Sequence, residues 1–338
     1  MNNWPTFCTR LRNHPAAVLG CLAGLTAVLA VASLGLGAVA VAPTEVLRAL
    51  LSGQSDGVAA QIVLYARLPR TLAGLLAGAA LAVAGVLIQT VLANPLAAPH
   101  ILGVNAGAGL AVTVCCALAP GLAMQPLAAF GGAMAGVLLV LLFAESTGAS
   151  RITLVLAGVA ISNLFSAGID AVTTLYPDAL LGYADFRMGG FAGVTLARLV
   201  PAAAMILPGL ALALCLADRL DVLALGPETA QSLGLAVRPT RLALLALAAA
   251  LAGAAVSVCG LVGFVGLLVP HAVRAVLGED SRPLLAGSAL GGAALLTGCD
   301  LLARTAAAPF ELPVGTVMSF VGGPFFLWLL IRQRGGRR

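Results

Sequence analysis

The chain has no lysine: all 18 of its basic residues are arginine. A P-loop needs a Lys on the nucleotide phosphates. This polypeptide therefore builds none, and any ATP that powers it is hydrolysed by a separate chain. Charge of either sign is scarce. Charged residues make up 9% of the 338 positions, against about a quarter in a soluble domain, which excludes a soluble globular protein. The three His (His14, His100, His271) lack metal-ligand spacing, so no metal site is expected. No nucleophile–base constellation is legible either, which argues against an enzyme. The seven Cys are scattered, mostly through apolar runs, and read as small buried hydrophobes.

What is present is apolar length. Hydrophobic residues make up 61% of the chain, and the mean hydropathy is +1.06. A spanning helix takes about 20 apolar residues, because the hydrocarbon core is about 30 Å thick. Ten stretches qualify or nearly so: 16–42, 72–93, 101–119, 124–144, 152–175, 199–217, 242–261, 263–277, 284–302 and 314–331. They predict an all-α polytopic membrane protein, a single transmembrane domain over 1–338. Arg10 and Arg12 precede the first stretch as in a signal peptide, but no clear small-residue cleavage site follows, so it reads as an uncleaved span. An even number of spans puts both termini on one side. Eleven Arg then lie on that side, six on the other, and Arg274 inside the eighth span. The positive-inside rule makes the richer side the cytoplasm. Without the short eighth span the RQRGGRR tail would lie outside, against that rule.

Gly74-x-x-x-Gly78, with Gly85 seven residues on, gives the second span a face for close helix packing. Spans two to five and seven to ten would run in opposite directions, as in transporters built from inverted repeats.

One long polar island, Asp218 to Arg241, interrupts the apolar pattern between spans six and seven. Within it Gly226-Pro227-Glu228-Thr229-Ala230 reads as a helix start, and Leu233-Gly234 as its end. Such a rigid cytoplasmic surface suits a chain driven by a soluble motor, although an ordinary surface helix has the same pattern. Arg67 and Arg70, in RLPR, and Arg304, in CDLLAR, fall at the opposite ends of spans two and nine. Bidentate arginine forks suit an acidic protein partner. Interfacial snorkelling or pairing with Asp300 fits the spacing equally. Asn94-Pro95-Leu96 ends span two in a turn before a Gly-rich run; a gate and a plain tight turn both fit it. His271 and Arg274 lie within a span, where ionisable groups are costly. No role follows from their spacing, nor any for Asp170 and Glu145, which read as span-end residues.

Three long segments resemble the permease subunits of ATP-driven importers for iron–siderophore complexes, haem and vitamin B12. They are residues 66–109 (ARLPRTLAGLLAG…NPLAAPHILGVNAGAG), 260–280 (GLVGFVGLLVPHAVRAVLGED) and 300–330 (DLLARTAAAPFELPVG…FFLWLL). The resemblance covers nearly the whole chain. It implies the ten-helix fold of the vitamin B12 permease and a path between two permease subunits, here expected as a homodimer. Two ATPase subunits would dock on the island, with ATP and Mg held there and no cofactor in this chain. Gly226, Glu228, Ala230, Leu233 and Gly234 match the ATPase-coupling loop. A periplasmic or lipid-anchored binding protein would dock on Arg67, Arg70 and Arg304. Leu96 with its turn, and the loop at Gly148 and Ser150, resemble the cytoplasmic gate. Val321-Gly322-Gly323-Pro324 departs from the Gly-Ala-Pro of haem and B12 members, which favours ferric siderophores over haem or cobalamin. A proton- or sodium-driven carrier is the reading from another class; it would call for intramembrane carboxylate relays. Nothing points to nucleic acid.

Overall fold

The computed structural model describes residues 14–37, 39–52, 57–119, 124–146 and 151–335. All ten expected stretches are helical. In chain order they are α1 (Pro15–Gly35), α3 (Val58–Leu92), α4 (Val104–Leu118), α5 (Gln125–Ser146), α6 (Arg151–Leu175), α8 (Leu196–Cys215), α11 (Val237–Cys259), α12 (Val265–Leu277), α13 (Ser281–Thr305) and α14 (Val314–Gly335). Short helices lie between them: α2 (Pro43–Ser52), α7 (Ala179–Met188), α9 (Ala217–Ala224) and α10 (Pro227–Ser232). Among the described residues, seven helices are long and apolar enough to cross a membrane, and α4, α12 and α14 are shorter apolar helices.

Two boundaries differ from the sequence expectation. The first span stops at Gly35 rather than continuing to position 42. The second begins at Val58 instead of 72, because RLPR does not start the helix. A π-helical segment, Ile62–Arg67, precedes Pro69, so the missing proline N–H falls where the hydrogen-bond register changes.

α3 is the centre of the bundle, packed on α13, α11, α12 and α8. It runs antiparallel to α13, with Arg70 beside Asp300 at one end and Gly78 against Gly292 midway. The predicted small-residue face is real, but it serves two neighbours. A Cβ on Gly78 would stand 2.2 Å from the Gly292 carbonyl of α13, and one on Gly85 2.0 Å from the Gly266 carbonyl of α12. Lipid offers no hydrophobic drive for helix association, so such close backbone contact supplies the cohesion.

The packing has the two-fold pattern expected of inverted repeats. α3 lies on α13 of the other half, as α11 lies on α5; α3 and α11 meet between the halves. The equivalent short helices α4 and α12 each start after a left-handed residue, Gly103 at φ 78° and Phe264 at φ 67°. The antiparallel register of α3 and α13 defines two ends of the molecule: an arginine end, at Arg70 and Asp300, and an island end, where α13 begins and α3 finishes.

Candidate functional site

At the arginine end two of the three predicted arginines, Arg70 and Arg304, meet the carboxylate of Asp300, which is 2% exposed. Arg70 Nε donates to both Asp300 oxygens at 2.9 and 3.1 Å, and Arg304 Nε lies 3.2 Å from Oδ2. Burial explains why the acid is there: a sealed guanidinium needs a counter-charge, and one carboxylate serves two. The remaining donors close the end of α1. Arg67 donates to the carbonyls of Leu34 (2.9 Å), Gly35 (2.7 Å) and Val39, and Arg304 donates to Ser33 Oγ (2.7 Å) and the Ser33 carbonyl (3.2 Å). Those of Ser33, Leu34 and Gly35 are carbonyls that a helix C-terminus leaves without intrahelical partners, and Val39 follows just beyond it. Ser33 in turn bonds Thr71 at 2.8 Å. Arg67 and Arg304 are thus buried and committed inward, while Arg70 reaches on to the exposed Glu311 at 2.8 Å. A cavity of about 320 Å³ opens on this cluster, lined by Tyr65, Arg67, Arg70, Thr195, Arg304 and Glu311.

At the other end the island folds into two short helices rather than one. Leu220 and Leu223 of α9 are buried against α3 and α13. Asp221 Oδ1 accepts the backbone N–H of Ser281 at 2.9 Å, capping α13 from 60 residues away. Arg282 pairs with Asp218 at 2.9 Å, and Arg238 pairs with Glu145 of α5. Gly226, at φ 101°, makes the turn into α10, and Gly234, at φ 83°, ends it; glycine adopts both without Cβ strain. The five predicted coupling residues therefore do different things. Glu228 and Leu233 are exposed, Ala230 is fully buried beneath them, and the two glycines shape the backbone. The result is a short helix, α10, packed on α9 and α11, with α9 in turn seated on α3 and α13.

Asn94, Pro95 and Leu96 lie at this same end. Ala93 is left-handed at φ 46°, and Asn94 Oδ1 accepts the Leu96 N–H at 2.9 Å, which makes a side-chain-closed turn. Gly148 and Ser150 lie outside the described residues.

Two arrangements were not foreseen. Arg274 of α12 donates to Gln89 Oε1 of α3 at 3.0 Å, and Gln89 Nε2 donates to the Gly266 carbonyl at 3.2 Å; nothing in the sequence pairs positions 185 residues apart. His271 instead meets the edge of Phe325, ring centroids 6.3 Å apart. The second is a face of α6. Val159, Asn163, Ser166, Asp170 and Thr174 recur at helical spacing and are all exposed. Asp170 lies within the last two turns of the helix, which ends at Leu175. A polar, carboxylate-bearing face on an apolar helix does not belong against lipid. The helical spacing of Asn163, Ser166, Asp170 and Thr174 was a signal available in the sequence.

Known proteins share this arrangement. The FecCD transport family matches residues 25–332. The hemin transport system permease protein HmuU of Yersinia pestis is 40% identical over 333 residues, 96% of this chain and 98% of that protein. The Fe(3+) dicitrate transport system permease protein FecD of Escherichia coli is 42% identical over 290 residues, 85% of this chain and 91% of that protein. A solved inward-facing conformation of a metal-chelate type ABC transporter superposes with a TM-score of 0.85 at 29% identity, covering 94% of this chain and 99% of that one. The chain belongs to the FecCD transport family, as a multi-pass membrane permease of the ATP-binding-cassette importer class.

Proposed function

We propose that this permease carries an iron(III) chelate across the cytoplasmic membrane of a bacterium, with a ferric siderophore as its cargo. The carrying observation is the division of labour between the two ends. One end presents a rigid polar helix with Glu228 and Leu233 outward; the other presents an arginine cluster beside an open cavity. With the arginine-rich side in the cytoplasm, the island faces two ATPase subunits, which hold the ATP and Mg, and both termini are cytoplasmic. The Arg67, Arg70 and Arg304 cluster then lies at the outer end, where a binding protein with acidic docking residues docks. Arg70 makes the contact; Arg67 and Arg304 hold the rim in shape by fixing the end of α1.

The polar face of α6 lines the path, and a second copy of the chain completes it. The Asn94–Leu96 turn, with Gly148 and Ser150, closes its cytoplasmic side. ATP binding and release in the partner favour different arrangements of the island, so transport follows from the differential affinity of each ligand for the two states.

The relatives support iron as the common element, since their names specify hemin, ferric dicitrate and iron(3+)-hydroxamate. Haem is the second reading, favoured by the 40% identity to the hemin permease. The test is uptake of radiolabelled ferric siderophores, haem and cobalamin by a strain lacking this chain, with and without the wild-type gene restored. Restoration of a ferric siderophore supports the reading; restoration of haem or cobalamin alone replaces the cargo.

A further inference from the structure

The arginine cluster carries three cations and two carboxylates, and the two acids are placed very differently. Asp300 is sealed, with 2% of its side chain exposed, whereas Glu311 is 41% exposed. Glu311 follows α13 in the connection to α14, and the backbone on either side of it is fixed. The Phe310 N–H donates to the Ala307 carbonyl at 2.9 Å, and the Leu312 N–H donates to the Ala303 carbonyl at 3.0 Å. Its carboxylate is thereby held on Arg70 Nη1 at 2.8 Å. Arg70 and Glu311 together line two cavities, the one of about 320 Å³ on the arginine side and another of about 350 Å³ beside Asp185, Phe191 and Leu312. Each is large enough for a carboxylate side chain. Tyr65 and Phe310, 66% and 78% exposed, flank the cluster; exposed aromatics beside an arginine make typical interface anchors.

We infer that Glu311 is a built-in competitor at this surface: it occupies the place on Arg70 that a carboxylate of the docking protein takes. The inference rests on the docking reading and adds its regulation. Glu311 is open to solvent at 41% although Arg70 is only 11% exposed; an ion pair solvated on the acid's side is weak, so an incoming carboxylate displaces Glu311 at little cost while Asp300 keeps Arg70 in position. The exchange leaves the arginine fork paired in both states. It also keeps docking weak, which suits a partner that must leave after each delivery.

The test uses the full chain in lipid nanodiscs and a tetraglutamate peptide as the acidic probe, with tetraglutamine as control. Glu311→Gln should bind tetraglutamate roughly tenfold tighter at low ionic strength, the scale of removing a like charge from a charged interface. Arg70→Gln should abolish binding, and tetraglutamine should bind neither variant. Glu311→Ala serves as the second variant and should match Glu311→Gln. If Arg70→Gln weakens binding but neither Glu311 variant tightens it, Glu311 is no competitor and the inference fails. If Arg70→Gln leaves binding unchanged, the docking reading itself fails. Loss of folded protein in both Glu311 variants would make the residue structural and overturn the inference.

Discussion

Replacing Asp300 with leucine should be among the most damaging single changes at the arginine end. The substitution keeps a similar volume but removes the acceptor of three contacts: Arg70 Nε at 2.9 and 3.1 Å and Arg304 Nε at 3.2 Å. Arg70 keeps Glu311 at 2.8 Å, but Arg304, with 4% of its side chain exposed, loses the carboxylate beside it where water does not replace it. Breaking a buried ion pair on one side costs about 3–5 kcal/mol, because the orphaned charge stays buried. The double variant Asp300→Leu, Arg304→Met should recover part of this. It removes the orphaned cation and leaves Arg70 paired with Glu311. Neighbours in one network typically couple by about 0.5–3 kcal/mol. The assay is equilibrium unfolding in mixed micelles, followed by loss of helicity, for the wild type, both single variants and the double. If Asp300→Leu unfolds within about 0.5 kcal/mol of wild type, as an ordinary surface change would, the cluster is not a buried charge network and the reasoning is wrong.

Helix contact makes a sharper steric prediction. Gly78→Ala puts a Cβ 2.2 Å from a backbone carbonyl of α13, so the helices must part, at a cost of about 1–3 kcal/mol or more. Gly131→Ala on α5, with nothing within 4 Å, should be neutral or slightly stabilising; thermal melts of the two side by side check this. Asp221→Ala should cost about 1 kcal/mol by uncapping α13, and faster amide exchange at Ser281 would report it directly. Disconnecting Gln89 from Arg274 by Gln89→Leu should lower stability, whereas Gln89→Glu, which still offers Arg274 an acceptor, should retain it.

Much of the fold was legible because membrane helices announce themselves one at a time. Apolar length located α1, α5, α6 and α8, and positive φ at Gly226 and Gly234 agrees with the helix start and end read within the island. The early start of α3 was hidden because RLPR has the composition of a helix entrance, while the π turn that carries the helix past Pro69 has no composition signal. The arginine end was legible in its members but not in its closure. Arg67, Arg70 and Arg304 stand out in an apolar chain; that two of them spend their donors on the end of α1 depends on packing between positions 32 residues apart for Arg67 and 271 for Arg304. A separation of 60 residues likewise hid Asp221 capping Ser281. Ala230 shows the limit of motif reading: it belongs to the coupling helix yet is buried, so it supports the contact surface without forming it.

The central claim is that an ATP-driven partner works through the island. Its most direct test is uptake of a ferric siderophore by inside-out-free, sealed proteoliposomes holding the permease, its ATPase and binding protein. ATP is trapped inside, with a proton ionophore present. The account predicts that wild type transports with internal ATP and the ionophore, and that Glu228→Arg folds normally but loses uptake. Uptake that persists in Glu228→Arg, or that needs a proton gradient and ignores ATP, would contradict it.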